Sequence, residues 1–262
     1  LETGIPKQVI QLILGNGALL GQTLCSDKRI AGVAFTGSTP TAQAINKQLA
    51  KRDTLPVPLI AETGGQDAMI VDSTALPEQV VRDVLRSAFA SAGQRCSALR
   101  VLFIQEDIAE RVYSLIAGAM QELAIGSPEK LSTDVGPVID PQAQTKLQAH
   151  VSWLEKNAQL IYQVALPEDC SKGSFVAPCA YQIDEIAQLT QEHFGPILHV
   201  IKYQSNQLDR VIDQINQSGF GLTLGVHSRN ESTYRHIEQR ARVGNCYVNR
   251  DQVGAVVGVQ PF

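Results

Sequence analysis

Cysteine is sparse in this chain, tryptophan occurs once and methionine twice in 262 residues. The five cysteines, Cys25, Cys96, Cys170, Cys179 and Cys246, are odd in number, widely spaced and form no C-x-x-C pair. That excludes a disulfide framework or a zinc ribbon, so no metal is expected and a reducing, cytoplasmic setting is. A surplus of positive charge is also missing. The net charge is −4 and the basic residues are scattered, which argues against a nucleic-acid site or an anionic-membrane surface. No apolar run approaches bilayer length, "RVLFI" and "IAGVAF" being among the longest. Residues 1–20 lack the basic start and apolar block of a secretion signal. There is no internal repeat and no low-complexity segment.

What is present is an ordinary globular composition, 44% hydrophobic and 18% charged, with 20 glycines and 12 prolines. Strand-like and helix-like patterns alternate along it. "QVIQLIL", "IAGVAFTG", "VPLIAE", "DAMIV", "ALRVLFIQ", "QLIYQVAL", "ILHVIKY", "GLTLGVHS" and "VGNCYVN" have the β-branched, Gly-bounded character of strands. "GALLGQTLCSDKR", "PTAQAINKQLAKR", "LPEQVVRDVLRSAFASAG", and the segments 107–123, 141–157, 208–216 and 231–241 have helical spacing. Ser38 or Thr39 is placed to cap the second of these, with Pro40 in its first turn. In the third, Val80, Val81, Val84, Leu85, Ala88 and Phe89 share one face, and Gly93 is expected to stop it. Helices between strands imply βαβ units, hence an α/β fold with a largely parallel sheet. A lobe boundary is expected near residue 62, where "ETGG" interrupts two strands.

Four short motifs carry candidate chemistry. Glu62 ends an apolar strand before Thr63-Gly64-Gly65, where a carboxylate is costly unless solvated or paired. Cys96 sits in the small polar turn "SAGQRCSALR"; backbone N–H groups there favour a thiolate, although a lone cysteine is more often a small buried hydrophobe. "FTGST" sets Gly37 and Ser38 between a strand and a helix start, a place suited to an anion although it is neither a GxGxxG nor a P-loop. "EHFGP" joins Glu192, Phe194 and a Gly-Pro turn, with His193 as a neighbour of no role. Taken singly, each fits a capped helix, a strand end or an unremarkable loop.

In this order and spacing, "FTGST", "ETGGQDAMIV", "GQRCSA" and "EHFGP" resemble the motif series of the aldehyde dehydrogenase superfamily across essentially all 262 residues. "SAGQRCSALR" and "VGNCYVNRDQVGAVVGVQPF" are similar to the glutamate-γ-semialdehyde (1-pyrroline-5-carboxylate) dehydrogenase branch, in its bifunctional proline-utilization members. The resemblance implies a partial Rossmann-type NAD lobe (1–62), an α/β catalytic lobe (63–249) and the start of a substrate-anchoring loop returning to the NAD lobe (250–262). It implies NAD-dependent oxidation of L-glutamate γ-semialdehyde to L-glutamate, the second step of proline catabolism. Another small aldehyde, acyl transfer through a Cys thioester, and a non-catalytic scaffold are the alternatives.

By the same resemblance Cys96 is the nucleophile and Glu62 the general base. Gly37 and Ser38 meet the pyrophosphate, Thr63 and Gly64 the nicotinamide, Glu192 the ribose, and Phe194 the nicotinamide end. Ser97, Gly254 and Ala255 hold the substrate's carboxylate and amine without an Arg, and Phe262 lines its chain. The expected partners are the small aldehyde, a proline dehydrogenase domain in the same longer polypeptide, bringing FAD with it, and further copies in a homo-oligomer. Both ends read as cut. The family's oxyanion-stabilising Asn and adenosine-ribose Lys would lie upstream of residue 1, so this segment alone is expected to have little or no activity.

Overall fold

The computed structural model describes residues 4–6, 8–256 and 258–260. The chain divides into two compact units, one ending at Gly64 and the other beginning at Gly65.

The first unit holds α1 (Gly17–Ser26), β1 (Val33–Thr36), α2 (Thr39–Ala50) and β2 (Leu59–Glu62). β1 and β2 pair in parallel, setting Thr36 opposite Glu62. Local chemistry dictates the turn after β1: Ser38 caps α2 by accepting from the Thr41 N–H, and Pro40 stands in the first turn, where its missing donor costs nothing. Only Cys25 and Ala42 are buried among the described residues here, while Leu12, Leu14, Leu55 and Ile60 are 85%, 83%, 87% and 62% exposed. "QVIQLIL" is not a strand. Residues 8–10 form a turn and 11–14 pair with nothing in the described part of the unit. β-propensity expresses itself only against a neighbouring strand, and this stretch has none.

The second unit contains β3 (Asp67–Val71), α3 (Pro77–Phe89), β4 (Leu99–Gln105), α4 (Glu106–Gln121), α5 (Pro141–Asn157), β5 (Gln159–Gln163), β6 (Cys179–Gln182), β7 (Ile197–Tyr203), α6 (Leu208–Gln217), β8 (Thr223–His227), α7 (Glu231–Arg240) and β9 (Asn245–Val248). Its sheet runs β5-β6-β7-β4-β3-β8-β9, parallel throughout except for the antiparallel β5–β6 pair. Central strands covered on both faces read as continuous apolar runs, and every residue of β3, β4 and β8 is buried. α3 buries Val80, Val81, Val84, Ala88 and Phe89 against them, the face its spacing predicts. It ends at Phe89 rather than at Gly93, and a tight 3-10 turn through Gly93 follows. β6 has no counterpart among the expected strands. Among the described residues no helix is long and apolar enough to cross a membrane.

Candidate active site

The turn that joins α3 to β4 is built against its own stereochemistry. Ser91 and Ala92 have φ of 56° and 54°, followed by Gly93 at 66°. Three successive left-handed residues, two of them not glycine, cost on the order of 1 kcal/mol each for the L side chains and persist only where the surroundings hold them. The holding contacts are visible. Gln94 donates to the Pro137 carbonyl at 3.2 Å and accepts from the Ile139 N–H at 2.8 Å. Gly93 lies against the backbone of Gly195, where a β-carbon on Gly93 would stand 2.3 Å from the Gly195 carbonyl oxygen.

Cys96 is half-buried in this turn. The residues on either side of it are tethered through their carbonyls. That of Arg95 accepts from Arg100 Nη2 at 3.3 Å. That of Ser97 accepts from Thr223 Oγ1 at 3.3 Å and Gln252 Nε2 at 3.5 Å. Asp67 in turn accepts from the Thr223 N–H at 2.8 Å. The N–H groups of Cys96 and Ser97 favour the thiolate, but burial of the thiol and then the charge of Asp67 outweigh them, so its pKa stands above the ordinary value. The turn's N–H groups thus act on the thiol in the expected direction, against the larger effect of burial. Asp67 itself is 2% exposed. Its Oδ2 lacks a hydrogen-bond partner, and burial raises its pKa to about 7.

The loop carrying Glu192, His193 and Phe194 closes on the same turn. Burial raises the Glu192 pKa, opposed by the Arg100 guanidinium and the Gly65 N–H. Phe194 keeps 41% of its surface exposed. His193, expected to be idle, stacks on His150 with ring centroids 3.3 Å apart. His150 Nε2 meets His199 Nε2 at 2.8 Å, and His199 Nδ1 meets the Arg100 carbonyl at 2.9 Å. A carbonyl only accepts, so His199 donates from Nδ1; with both rings neutral, its Nε2 then accepts from His150 Nε2. Burial agrees, holding His150 near 4 and His193 and His199 near 3.

Of the residues expected to act, the second unit brings together Cys96, Ser97, Glu192 and Phe194 around Arg100. Ser97 is only 4% exposed. Gly254 is exposed and Ala255 half-buried. The guanidinium of Arg95 lies 3.8 Å from where a β-carbon on Gly254 would sit, so an Arg does stand at the loop expected to manage without one. In the first unit, Gly37 donates its N–H to the Glu62 carbonyl at 3.1 Å, Ser38 caps α2, and Glu62, Thr63 and Gly64 are half-buried. Phe262 lies outside the described residues. Sequence reasoning passed over Arg100 and Gln94. A charge inside the apolar run "ALRVLFI" was the available signal for the first, since such a position demands buried partners.

In the first unit the capped helix start at Ser38 is suited to an anion; in the second, the partly open Glu192 carboxylate and the exposed ring of Phe194 are suited to a nucleotide. Comparison with known proteins gives the same direction. Residues 1–262 match the model of the "Aldehyde dehydrogenase family". The chain is 50% identical to the bifunctional protein PutA of Klebsiella aerogenes, covering 100% of this chain and 21% of that protein. It is 34% identical to a 1-pyrroline-5-carboxylate dehydrogenase of Geobacillus sp., covering 100% of this chain and 51% of the other. Among solved structures, a bifunctional proline utilization A superposes with a TM-score of 0.95 at 54% identity, over 100% of this chain and 26% of that one. A Thermus 1-pyrroline-5-carboxylate dehydrogenase with bound NAD gives 0.91 at 32% identity, over 100% and 51%. The chain therefore spans about a fifth of the PutA relative and about half of the single-function dehydrogenase.

Proposed function

The chain belongs to the aldehyde dehydrogenase family, and from that premise we propose that the whole protein oxidises L-glutamate γ-semialdehyde to L-glutamate with NAD⁺. The observation that carries this reading is the turn around Cys96. Its strained backbone, its two tethered carbonyls and the half-buried position of Cys96 support a thiol held for attack rather than one filling a core.

In this reading the sulfur of Cys96 bonds to the aldehyde carbon as the C=O π bond opens, and the thiol proton ends on the former carbonyl oxygen, giving a thiohemiacetal whose hydroxyl proton is released to water when the hydride leaves. NAD⁺, when bound, supplies the acceptor for the hydride that leaves that carbon. The resulting thioester is hydrolysed by water whose proton passes to Glu62, and C–S cleavage returns the thiolate and the acid. Glu192 holds the nicotinamide ribose through its carboxylate, and Phe194 packs beside the nicotinamide end. Gly37 and Ser38 meet the pyrophosphate, while Thr63 and Gly64 border the nicotinamide. Ser97, Gly254, Ala255 and Phe262 receive the carboxylate, amine and chain of the substrate. Residues 1–62 then form part of the NAD lobe, 63–249 the catalytic lobe and 250–262 the substrate loop. A proline dehydrogenase domain in the same polypeptide and assembly into a homo-oligomer belong to the same proposal.

The test uses the full-length polypeptide. Cys96→Ala should abolish NADH formation from the semialdehyde while NAD⁺ still binds, and an alkylating agent should modify Cys96 before the buried Cys25, Cys170 and Cys179. Wild-type turnover by C96A would refute the reading. Residues 1–262 assayed alone should form little or no NADH, because they match only about half of the single-function dehydrogenase.

A further inference from the structure

Arg100 is the second residue of β4 and is 2% exposed. A guanidinium in that position is tolerated only where its charge and its donors are met. Nη1 donates to the Gly195 carbonyl at 3.1 Å. Nη2 donates to the Arg95 carbonyl at 3.3 Å and stands 3.7 Å from Glu192 Oε1. The guanidinium carbon lies 5.3 Å from the centre of the Phe194 ring. One side chain therefore touches the residue before Cys96 and three residues of the Glu192–Gly195 loop. It does so where Gly93 and Gly195 let the two backbones meet.

We propose that Arg100 is a positioning residue that sets the Glu192 carboxylate and the Phe194 ring in register with Cys96. Glu192 Oε1 is buried and has no hydrogen-bond partner besides this ion pair. The side chain nonetheless keeps 18% of its surface open. The geometry thus turns one carboxylate oxygen inward, toward the cation, while part of the group stays open. A lysine in the same place keeps the charge but loses the planar fork that reaches two carbonyls and a carboxylate together. The proposal rests on the reading of Glu192 as the ribose-holding residue, and its test separates the two.

The full-length polypeptide is compared with Glu192→Gln, Arg100→Lys, Arg100→Gln and the double variant R100K/E192Q. The readouts are KM for NAD⁺, kcat with L-glutamate γ-semialdehyde, and thermal unfolding. E192Q should raise KM for NAD⁺ about tenfold. R100K should raise it by a similar factor, with a smaller change in kcat, and the double variant should be no worse than E192Q, because the two act through one contact. R100Q, which removes the charge as well, should exceed R100K. An unchanged KM in R100K, or factors that multiply to about a hundredfold in the double variant, overturns the positioning role. Failure of both Arg100 variants to fold also overturns it, since Arg100 is then structural only. No effect of E192Q removes the ribose reading and this proposal with it, whereas an effect of E192Q without one of R100K removes the proposal alone.

Discussion

Gly93→Ala is expected to be among the most damaging single-methyl additions in the second unit. At φ +66° an alanine pays about 1–2 kcal/mol for the left-handed backbone before any contact is counted. Its β-carbon would stand 2.3 Å from the Gly195 oxygen, which must retreat by about 1 Å to restore ordinary contact. Retreat is resisted, because Gly195 itself has Leu147 side-chain atoms packed where its own β-carbon would go. Movement also pulls the Gly195 carbonyl from Arg100 Nη1, now at 3.1 Å. A bond to a charged donor contributes about 1.5–3 kcal/mol. The sum is about 3–5 kcal/mol, a large part of the stability of a typical domain. Gly118→Ala is the counterpart of opposite sign. It lies inside α4 with nothing within 4 Å of its added carbon, so it should stabilise by about 0.5–1 kcal/mol. Urea unfolding followed by the fluorescence of Trp153, the only tryptophan, measures both. G93A within about 1 kcal/mol of wild type, or a destabilised G118A, refutes the reasoning.

Two further outcomes rest on the same turn. His150, His193 and His199 have pKa values lowered to about 4, 3 and 3, so the stability they contribute is present above about 6.5 and is lost as pH falls through that window. Asp67, raised to about 7, has the opposite sense: its contribution is full below 3.8 and is lost as pH rises through 7. Near pH 5, unfolding takes up about three protons and releases about one at these four groups, so their contribution to stability should rise by about 3 kcal/mol per pH unit. Asp67→Asn removes the opposing proton and should steepen that slope by about half, as read from urea midpoints between pH 4.5 and 6; an unchanged slope sinks the assignment. Gln94→Ala frees the Pro137 carbonyl and the Ile139 N–H. It should cost about 1–3 kcal/mol and speed amide exchange at Ile139, and unchanged exchange there would show that the tether is not what holds this loop.

The parts of the fold visible in the sequence are those decided over a few residues. The passage from β1 through the Ser38 cap into α2 is one such case, because strand pattern, cap and Pro40 all act within one turn. The helix at 141–157 and the strand "ILHVIKY" fall where periodicity alone sets them. What escaped depends on distant partners. "QVIQLIL" has strand composition but no partner strand among the described residues, while β6, "CAYQ", lacks β-branched residues and exists because β5 and β7 flank it. Cys96 and Glu192 stood out through their motifs. Arg100 did not, because Gly195, which gives its charge meaning, is 95 positions away. His193 was passed over for the same reason, since its stacking partner His150 belongs to α5.

The restraints on the Cys96 turn have a consequence for the order in which the molecule is made. The contacts that fix it reach from Arg100 to Gly195 across 95 positions, from Ser97 to Thr223 across 126, and from Ser97 to Gln252 across 155. β3 and β4 can pair soon after they leave the ribosome, for only a helix and the strained turn separate them. Gln94 can be tethered once Pro137 and Ile139 have emerged, but the restraints on the β3–β4 junction are complete only after more than a hundred further residues have been synthesised. At about 5–20 residues per second, the thiol spends many seconds on a nascent chain without its final geometry. Synthesis thus completes the reactive centre only after the sheet that carries it has begun to assemble.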